Sequence, residues 1–157
     1  MKTITTAWLL SALFTSFQAG AAAPEATQES DIMLSRKNYQ ALGAPAGPYS
    51  ASVRHQGTLY LSGLTAFGSK AQGQSMAEQA EAIFQQLKQV AEAEGIGLHY
   101  LIKVTVFVTS LEDLDALREV LSRNYQGAYP ASSLVQVAGL FSPEVNIEIE
   151  ALFALPL

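Results

Sequence analysis

The sequence predicts an α/β fold of the α+β kind, with one mixed sheet and two helices packed on one of its faces. Three observations lead to it. The predicted elements follow the order β-β-α-β-α-β-β, and each helical segment has a single apolar stripe to bury. In the last strand Ile147, Ile149 and Ala151 alternate with Glu148 and Glu150, so only one side of that strand is apolar.

The first two strands form a predicted hairpin. Residues 50–55 and 58–62 are short β-prone runs, and Gln56-Gly57 between them is typical of a tight turn. Residues 23–46, which precede the hairpin, are polar and rich in proline and show no sustained period. We therefore expect a tail that leads into an irregular N-terminal segment.

Three further strands complete the predicted sheet. Residues 101–109 alternate, which places Ile102 and every second residue to position 108 on one face. The last two strands, 132–139 and 145–153, flank a turn at 141–144. An apolar sheet face that no helix covers in so small a domain would favour burial by oligomerisation.

Both helices begin with a predicted capping signal. Ser75 with Glu78 three residues later is the pattern of a capping box, and apolar residues then recur at helical spacing until Gly95. Ser110 and Asp113 repeat the spacing before a second apolar stripe, which stops near the glycine and proline at 127 and 130. We expect both serines to cap a helix.

The N-terminus predicts export. A basic start at Lys2 leads into the apolar run AWLLSALFTSF and then into small residues at 19–23, which is the pattern of a cleaved signal peptide. The apolar run is about half the roughly 20 residues that a spanning helix needs. We therefore expect a signal peptide at 1–22, a tail at 23–46 and one domain at 47–157. The mature protein would be periplasmic or secreted, without stable membrane association after cleavage.

The composition excludes several classes of site. Cleavage removes Lys2 and no acid, which moves the net charge from −5 to −6, and an acidic chain with scattered basic residues disfavours nucleic-acid binding. The absence of cysteine excludes disulfides, cysteine-ligated zinc and a thiol nucleophile, and no metal site is expected. His55 and His99 are isolated from each other, so we interpret both as surface residues.

Several short motifs together indicate a family. Residues 47–50 read GPYS, 61–63 read LSG, 104–108 read VTVFV and 147–151 read IEIEA. In order and spacing the chain resembles the RidA family, also called YjgF or L-PSP, from about residue 33 to 154. The resemblance implies a chorismate-mutase-like fold, a homotrimer, and small-molecule clefts at the subunit interfaces. It also implies an enamine/imine deaminase that hydrolyses 2-iminobutanoate or 2-iminopropanoate to a 2-oxo acid and ammonia without a cofactor.

The resemblance also assigns roles to individual residues. Glu148 falls where the family keeps a glutamate that orients or activates the attacking water, so it would act as general acid and base. Tyr49 would form a wall of the cleft, and Ser62 and Gly63 would offer hydroxyl and backbone donors. Alternation alone favours a different interpretation, in which Glu148 and Glu150 are a solvated strand face.

One substitution departs from the family. Its catalytic motif reads PARSCV, and the matching residues here are 130–135, PASSLV. Ser132 thus replaces the arginine that binds the substrate carboxylate, Leu134 replaces the cysteine, and Ser133 is retained. A serine hydroxyl makes one neutral hydrogen bond where a guanidinium makes two charged ones. Arg118 is a candidate replacement cation, the alternative being a surface pair with Asp115 at i−3.

The sequence therefore leaves two functions open, and with them whether the protein is an enzyme. One is a deaminase weakened or re-targeted by the loss of the arginine. The other is a non-catalytic trimeric protein that uses the same clefts to bind a small ligand. A ribonuclease, an activity attached to one name of the family, is the weakest hypothesis, because an acidic surface repels phosphate.

Overall fold

The computed structural model describes residues 33–156, so the predicted signal peptide at 1–22 and residues 23–32 lie outside the described range. The strands are β1 Ser35–Lys37, β2 Ser52–His55, β3 Thr58–Thr65, β4 Leu101–Val108, β5 Ala131–Gln136 and β6 Ile147–Ala154. The helices are α1 Met76–Ala93 and α2 Leu114–Tyr125, with short 3₁₀ turns at Gln40–Leu42 and Leu98–Tyr100. Among these residues no helix is long and apolar enough to cross a membrane.

The six strands form one mixed sheet in the order β1-β2-β3-β6-β4-β5. Only β4 and β5 run parallel, and all other neighbours are antiparallel. Helix α1 packs on β3 and β6, and α2 packs on α1. The predicted α+β class with one mixed sheet and two helices is confirmed.

A single apolar core joins the helices to one face of the sheet. Helix α1 contributes a stripe that includes Phe84 and Leu87, and α2 contributes Leu117, all without exposed surface. Burial of such side chains stabilises the fold by roughly 1.5–3 kcal/mol each. The sheet residues beneath the helices are Leu59, Leu61, Val104, Val106, Val108, Ile147, Ile149, Ala151 and Phe153.

The hairpin forms at the predicted turn. Gln56 and Gly57 have φ values of 45° and 74°, and two consecutive positive φ values are the requirement of a type I′ turn. Strand β3 extends three residues beyond its predicted end, to Thr65.

The N-terminal segment is more ordered than the sequence predicts. Strand β1 pairs antiparallel with β2. Tyr39 Oη donates to Glu94 Oε1 and shares a second bond with Ser52 Oγ, both at 2.9 Å, and Lys37 Nζ lies 2.7 Å from the same Glu94 oxygen. Burial raises the pKa of Tyr39 to about 12. These partners lie far away in the sequence, so the alternation of neighbouring residues does not predict strand β1.

Strand β4 corrects the predicted alternation. Its register with β6 shifts between Leu101 and Lys103, so Leu101 is buried and Ile102 is 45% exposed. An extra residue at a bulge moves the side chains that precede it to the opposite face of the sheet. Strand β5 is shorter than predicted, ending at Gln136, and all six of its residues are exposed.

The second capping prediction is wrong. Helix α1 begins with a complete capping box, in which Ser75 and Glu78 each bond the other's backbone N–H. Helix α2 begins at Leu114 after Asp113, whose side chain makes no cap bond. The hydroxyl of Ser110 accepts a bond from the N–H of Glu112 at 3.1 Å. It therefore stabilises the turn before the helix instead of the helix itself.

This contrast predicts different effects for two serine substitutions. Ser75→Ala should lower the free energy of unfolding by about 1 kcal/mol, since it removes a helix cap. Ser110→Ala should lower it by a few tenths of a kcal/mol only. Denaturant unfolding of both variants measures the difference, and equal losses would contradict the assignment of the caps.

Candidate active site

A bulge in β3 shapes the candidate site. The register of β3 with β6 shifts between Leu61 and Leu64, and the two residues at the shift are Ser62 and Gly63. The Ser62 N–H donates to the carbonyl of Ala51 at 3.0 Å, and its hydroxyl donates to the carbonyl of Ser50 at 2.8 Å. Both Ser62 donors are therefore engaged within the chain, and its hydroxyl oxygen retains acceptor capacity.

Glu148 lies directly over Gly63. A Cβ atom placed on Gly63 would be 1.8 Å from Glu148 Oε1 and 2.7 Å from its Cδ. No side chain fits in that space, so glycine at position 63 is a condition for this position of the carboxylate. Burial, and secondly the negative charge of Glu150, raise the pKa of Glu148 above its ordinary value.

A cleft of about 160 Å³ opens beside Gly63, whereas Glu148 contacts Gly63 without being one of the lining residues. Tyr49, Ser62 and Gly63 line it together with residues of 42–46 and Gln86. Gln86 Nε2 donates to the carbonyl of Thr65 at 2.8 Å, which ties α1 to the end of β3. Sequence reasoning missed Gln86 and the 42–46 wall. Gln86 follows Gln85 on the polar side of a helix, and nothing in its spacing distinguishes it.

Strand β5 presents its motif to both sides of the sheet. Ser132 pairs with Val104, whose side chain faces the helices, whereas Ser133 pairs with Thr105 on the open face. Glu148 pairs with Phe107, two residues along from Thr105, and therefore also lies on the open face. Ser132 and Glu148 consequently point to opposite sides of the sheet within one chain.

The remaining motif residues follow the same alternation. Leu134 pairs with Val106 and shares the side of Ser132, and it is exposed at the sheet edge. Ser133 Oγ accepts a bond of 2.6 Å from Lys103 Nζ on the open face. None of the three β5 residues lines the cleft beside Gly63.

The candidate cation and the histidines also lie away from this cleft. Arg118 Nη1 forms an exposed pair with Asp115 Oδ1 at 2.9 Å, which is the alternative that the helical spacing predicts. His99 lies beside Tyr100 with ring centroids 4.5 Å apart and ring planes tilted by 49°. His55, at the end of β2, is half-buried and not a surface residue as predicted. Within residues 33–156 no group of three or more histidine, aspartate or glutamate side chains could hold a metal ion.

The contact between Glu148 and Gly63 predicts the effect of adding one methyl group. Gly63→Ala should displace the Glu148 carboxylate from this position. The free energy of unfolding should fall by less than about 1 kcal/mol, because the atoms met are the end of a flexible side chain and not packed core. Gly139→Ala is a matched control, because a Cβ there meets nothing within 4 Å. Carboxyl NMR compares the two, and a Glu148 signal that Gly63→Ala leaves unchanged would show that Glu148 does not occupy this space.

The raised pKa of Glu148 predicts a pH-dependent stability. The folded state raises the pKa of the Glu148 carboxyl, so it binds the proton more tightly than the unfolded state does. The protonated carboxyl therefore adds to the free energy of unfolding at low pH, and this contribution is lost as the pH rises through the folded pKa. Glu148→Gln should therefore match the parent near about pH 4 and exceed it in melting temperature toward pH 7.

Carboxyl NMR measures the same effect directly, and Glu150→Gln should lower the pKa of Glu148 only in part, because burial remains. A pKa of Glu148 at or below the ordinary carboxyl value would contradict this assignment.

Comparison with known proteins identifies the family. The sequence profile described as Endoribonuclease L-PSP matches residues 39–155. A 2-iminobutanoate/2-iminopropanoate deaminase of Dermatophagoides farinae is 32% identical over 111 residues, 69% of this chain and 86% of that protein. The Mus musculus protein of the same name is 31% identical over 74% of this chain and 90% of its own length.

A solved structure agrees. The crystal structure of RidA from an Antarctic Psychrobacter superimposes with a TM-score of 0.65 and 31% identity, covering 79% of this chain and 98% of that one. The fold, the sequence profile and the relatives together place the chain in the RidA family, also called YjgF or L-PSP.

Proposed function

We propose that this chain is an exported imine deaminase of the RidA type whose action on 2-imino acids is weakened or re-targeted. The observation that carries the proposal is the position of the Glu148 carboxyl over Gly63, which lines the cleft. The pKa of this carboxyl is raised. A general base works best when its pKa approaches the working pH, and burial moves Glu148 in that direction. Relatives named as 2-iminobutanoate/2-iminopropanoate deaminases support the reaction class.

The reaction adds water to a C=N bond and releases ammonia. Glu148 takes a proton from the attacking water while the oxygen bonds to the imine carbon, which gives a tetrahedral carbinolamine. The protonated Glu148 gives that proton to the nitrogen, so the carbinolamine carries one OH and one NH2 group. Glu148 then takes the hydroxyl proton and passes it to the nitrogen as the C–N bond breaks and the C=O bond forms, and a 2-oxo acid and ammonia leave. Atoms balance with the imine and one water as the only reactants. The chain supplies position and proton transfer, and no cofactor is required.

The proposal includes a homotrimer with shared sites. All six β5 residues are exposed, and within residues 33–156 no strand pairs with the outer side of this edge strand. The open face beside it carries partly buried side chains, such as Phe107 and Glu148, that neither α1 nor α2 covers. Because Ser132 and Glu148 point to opposite sides of one chain, a cleft that contains both would need β5 of a second copy.

The weakening follows from Ser132. Among the described residues that line the cleft there is no cation to take the place of the family's arginine, and Lys70 lines a neighbouring groove and not the cleft itself. Arg118 would have to leave Asp115 to reach a ligand. A charge-assisted contact is worth roughly 1.5–3 kcal/mol, so its loss would lower turnover of a carboxylate substrate by about one to two orders of magnitude.

The same observation favours a second candidate function. A trimer that keeps the cleft but lacks the carboxylate cation could bind a small polar ligand without converting it. The proposed periplasmic or secreted location also separates the protein from cytoplasmic enzymes that release short-lived imines. Under this hypothesis a ligand would raise the melting temperature without any turnover.

Restoring the arginine separates the two functions. Ser132→Arg should increase hydrolysis of 2-iminobutanoate, generated in situ, by about 10-fold or more over the parent, because it restores a bidentate carboxylate contact. Glu148→Gln in the same background should abolish the gain. Ammonia release above the spontaneous rate is the measurement. Ser35→Arg, in the exposed strand β1 at the opposite edge of the sheet, controls for an added guanidinium.

A parent as fast as an arginine-containing relative would contradict the argument from Ser132. Hydrolysis that survives Glu148→Gln unchanged would remove Glu148 from the mechanism.

A further inference from the structure

We infer that Phe67 and Phe141 bind the side chain of the substrate and select C=N compounds with a large apolar side chain. We call these two residues the aromatic lip. The inference rests on the proposed function, because it takes the cleft beside Gly63 and Glu148 as the place where the C=N bond reacts.

The aromatic lip is an exposed apolar surface. Phe67 is 54% exposed and Phe141 is 68% exposed. Their ring centroids are 5.2 Å apart at an interplanar angle of 65°, an edge-to-face contact. Contiguous exposed apolar surface in a soluble domain is a common mark of a binding site. The two adjacent aromatic rings therefore indicate a surface that binds an apolar group.

Position indicates what the occupant is. Phe67 lines the 160 Å³ cleft together with Ser62 and Gly63. It also lines an adjoining groove of about 470 Å³, and Leu42 and Gln86 are shared by the two cavities. A compound whose C=N bond lies near Gly63 would extend its side chain along Phe67 toward this groove. The occupant we assign to the aromatic lip is that side chain.

The aromatic lip is held in place before any ligand binds. Phe67 follows the end of β3, and its N–H donates to Thr65 Oγ1 at 3.3 Å. The loop that carries Phe141 is joined to the loop after Phe67 through Glu144, whose carbonyl accepts from the N–H of Gly73 at 2.9 Å. The same carbonyl accepts from Nε2 of the fully buried Gln79 at 3.0 Å. Preorganised surfaces bind with a smaller entropic cost.

The aromatic lip also offsets the substitution at position 132. Where a family arginine would hold the carboxylate end of a small imino acid, Ser132 offers one neutral hydrogen bond. Apolar contact with Phe67 and Phe141 provides binding energy at the other end of the molecule. Small substrates would gain little from it, so specificity should shift toward compounds with bulky side chains.

Stable 2-oxo acids test selection independently of turnover. Calorimetry on the mature protein should show 4-methyl-2-oxopentanoate binding about tenfold more tightly than pyruvate, the usual scale for added methylene groups in an apolar site. Phe67→Ala or Phe141→Ala should reduce this ratio to about twofold, and Phe67→Leu should keep most of it. Leu111→Ala, which removes a 45% exposed apolar side chain before α2, is the control and should leave the ratio unchanged.

Three results would overturn the inference: no preference in the parent, a preference that both alanine variants retain, or a change of oligomeric mass in those variants. The last would mean that a second copy covers the aromatic lip. The imines of leucine and alanine, supplied by an amino acid oxidase, separate this inference from the proposed function. Selective binding without hydrolysis by the parent refutes the deaminase alone. Hydrolysis of both imines at equal rates refutes the aromatic lip alone.

Discussion

The Glu148 carboxylate occupies the space that any side chain at position 63 would need. This contact depends on the bulge at Ser62 and Gly63, because an unbroken β3–β6 ladder would not bring the glycine under the carboxylate. It also determines the chemistry, since burial in that position raises the pKa of Glu148. A carboxylate on a solvated strand face would have neither property. The contact therefore converts a residue of ordinary alternation into a candidate acid and base.

The one-sided packing of the domain determines where such a site can be completed. Both helices bury their apolar stripes on the same face, through residues such as Val104 and Ile149. Glu148 is left on the other face, and β5 is left as an exposed edge. Alternation along β5 sends Ser132 and Ser133 to opposite sides, so one chain cannot bring the whole motif to one ligand. This geometry is the ground on which we propose a site between copies.

Much of the fold could be predicted from the sequence because its signals are local. The capping box at Ser75, the Gln56-Gly57 turn and the alternation of β6 each lie within a few residues. What could not be predicted depends on distant partners. Strand β1 is defined by its pairing with β2, and the bulge at Ile102 by its register with β6. Ser110 failed as a cap because its hydroxyl had a nearer N–H to bond.

The candidate site divides in the same way. Family motifs pointed to Tyr49, Ser62, Gly63 and Glu148. The first three line one cleft, and Glu148 lies against Gly63. Gln86 and the aromatic lip carry no motif, since their role comes from loops that meet only after folding. The sequence left two interpretations of Arg118, a cation in the cleft or a surface pair with Asp115. The distance between the two side chains agrees with the surface pair.

A crystal structure of the mature protein with 2-oxobutanoate would test whether Glu148 and Ser132 of two copies form one site. We expect the ligand within hydrogen-bond reach, directly or through one water, of Glu148 from one copy, with β5 of a neighbouring copy completing the cleft at Ser132. A ligand bound by one copy alone, or one remote from Glu148, would contradict it.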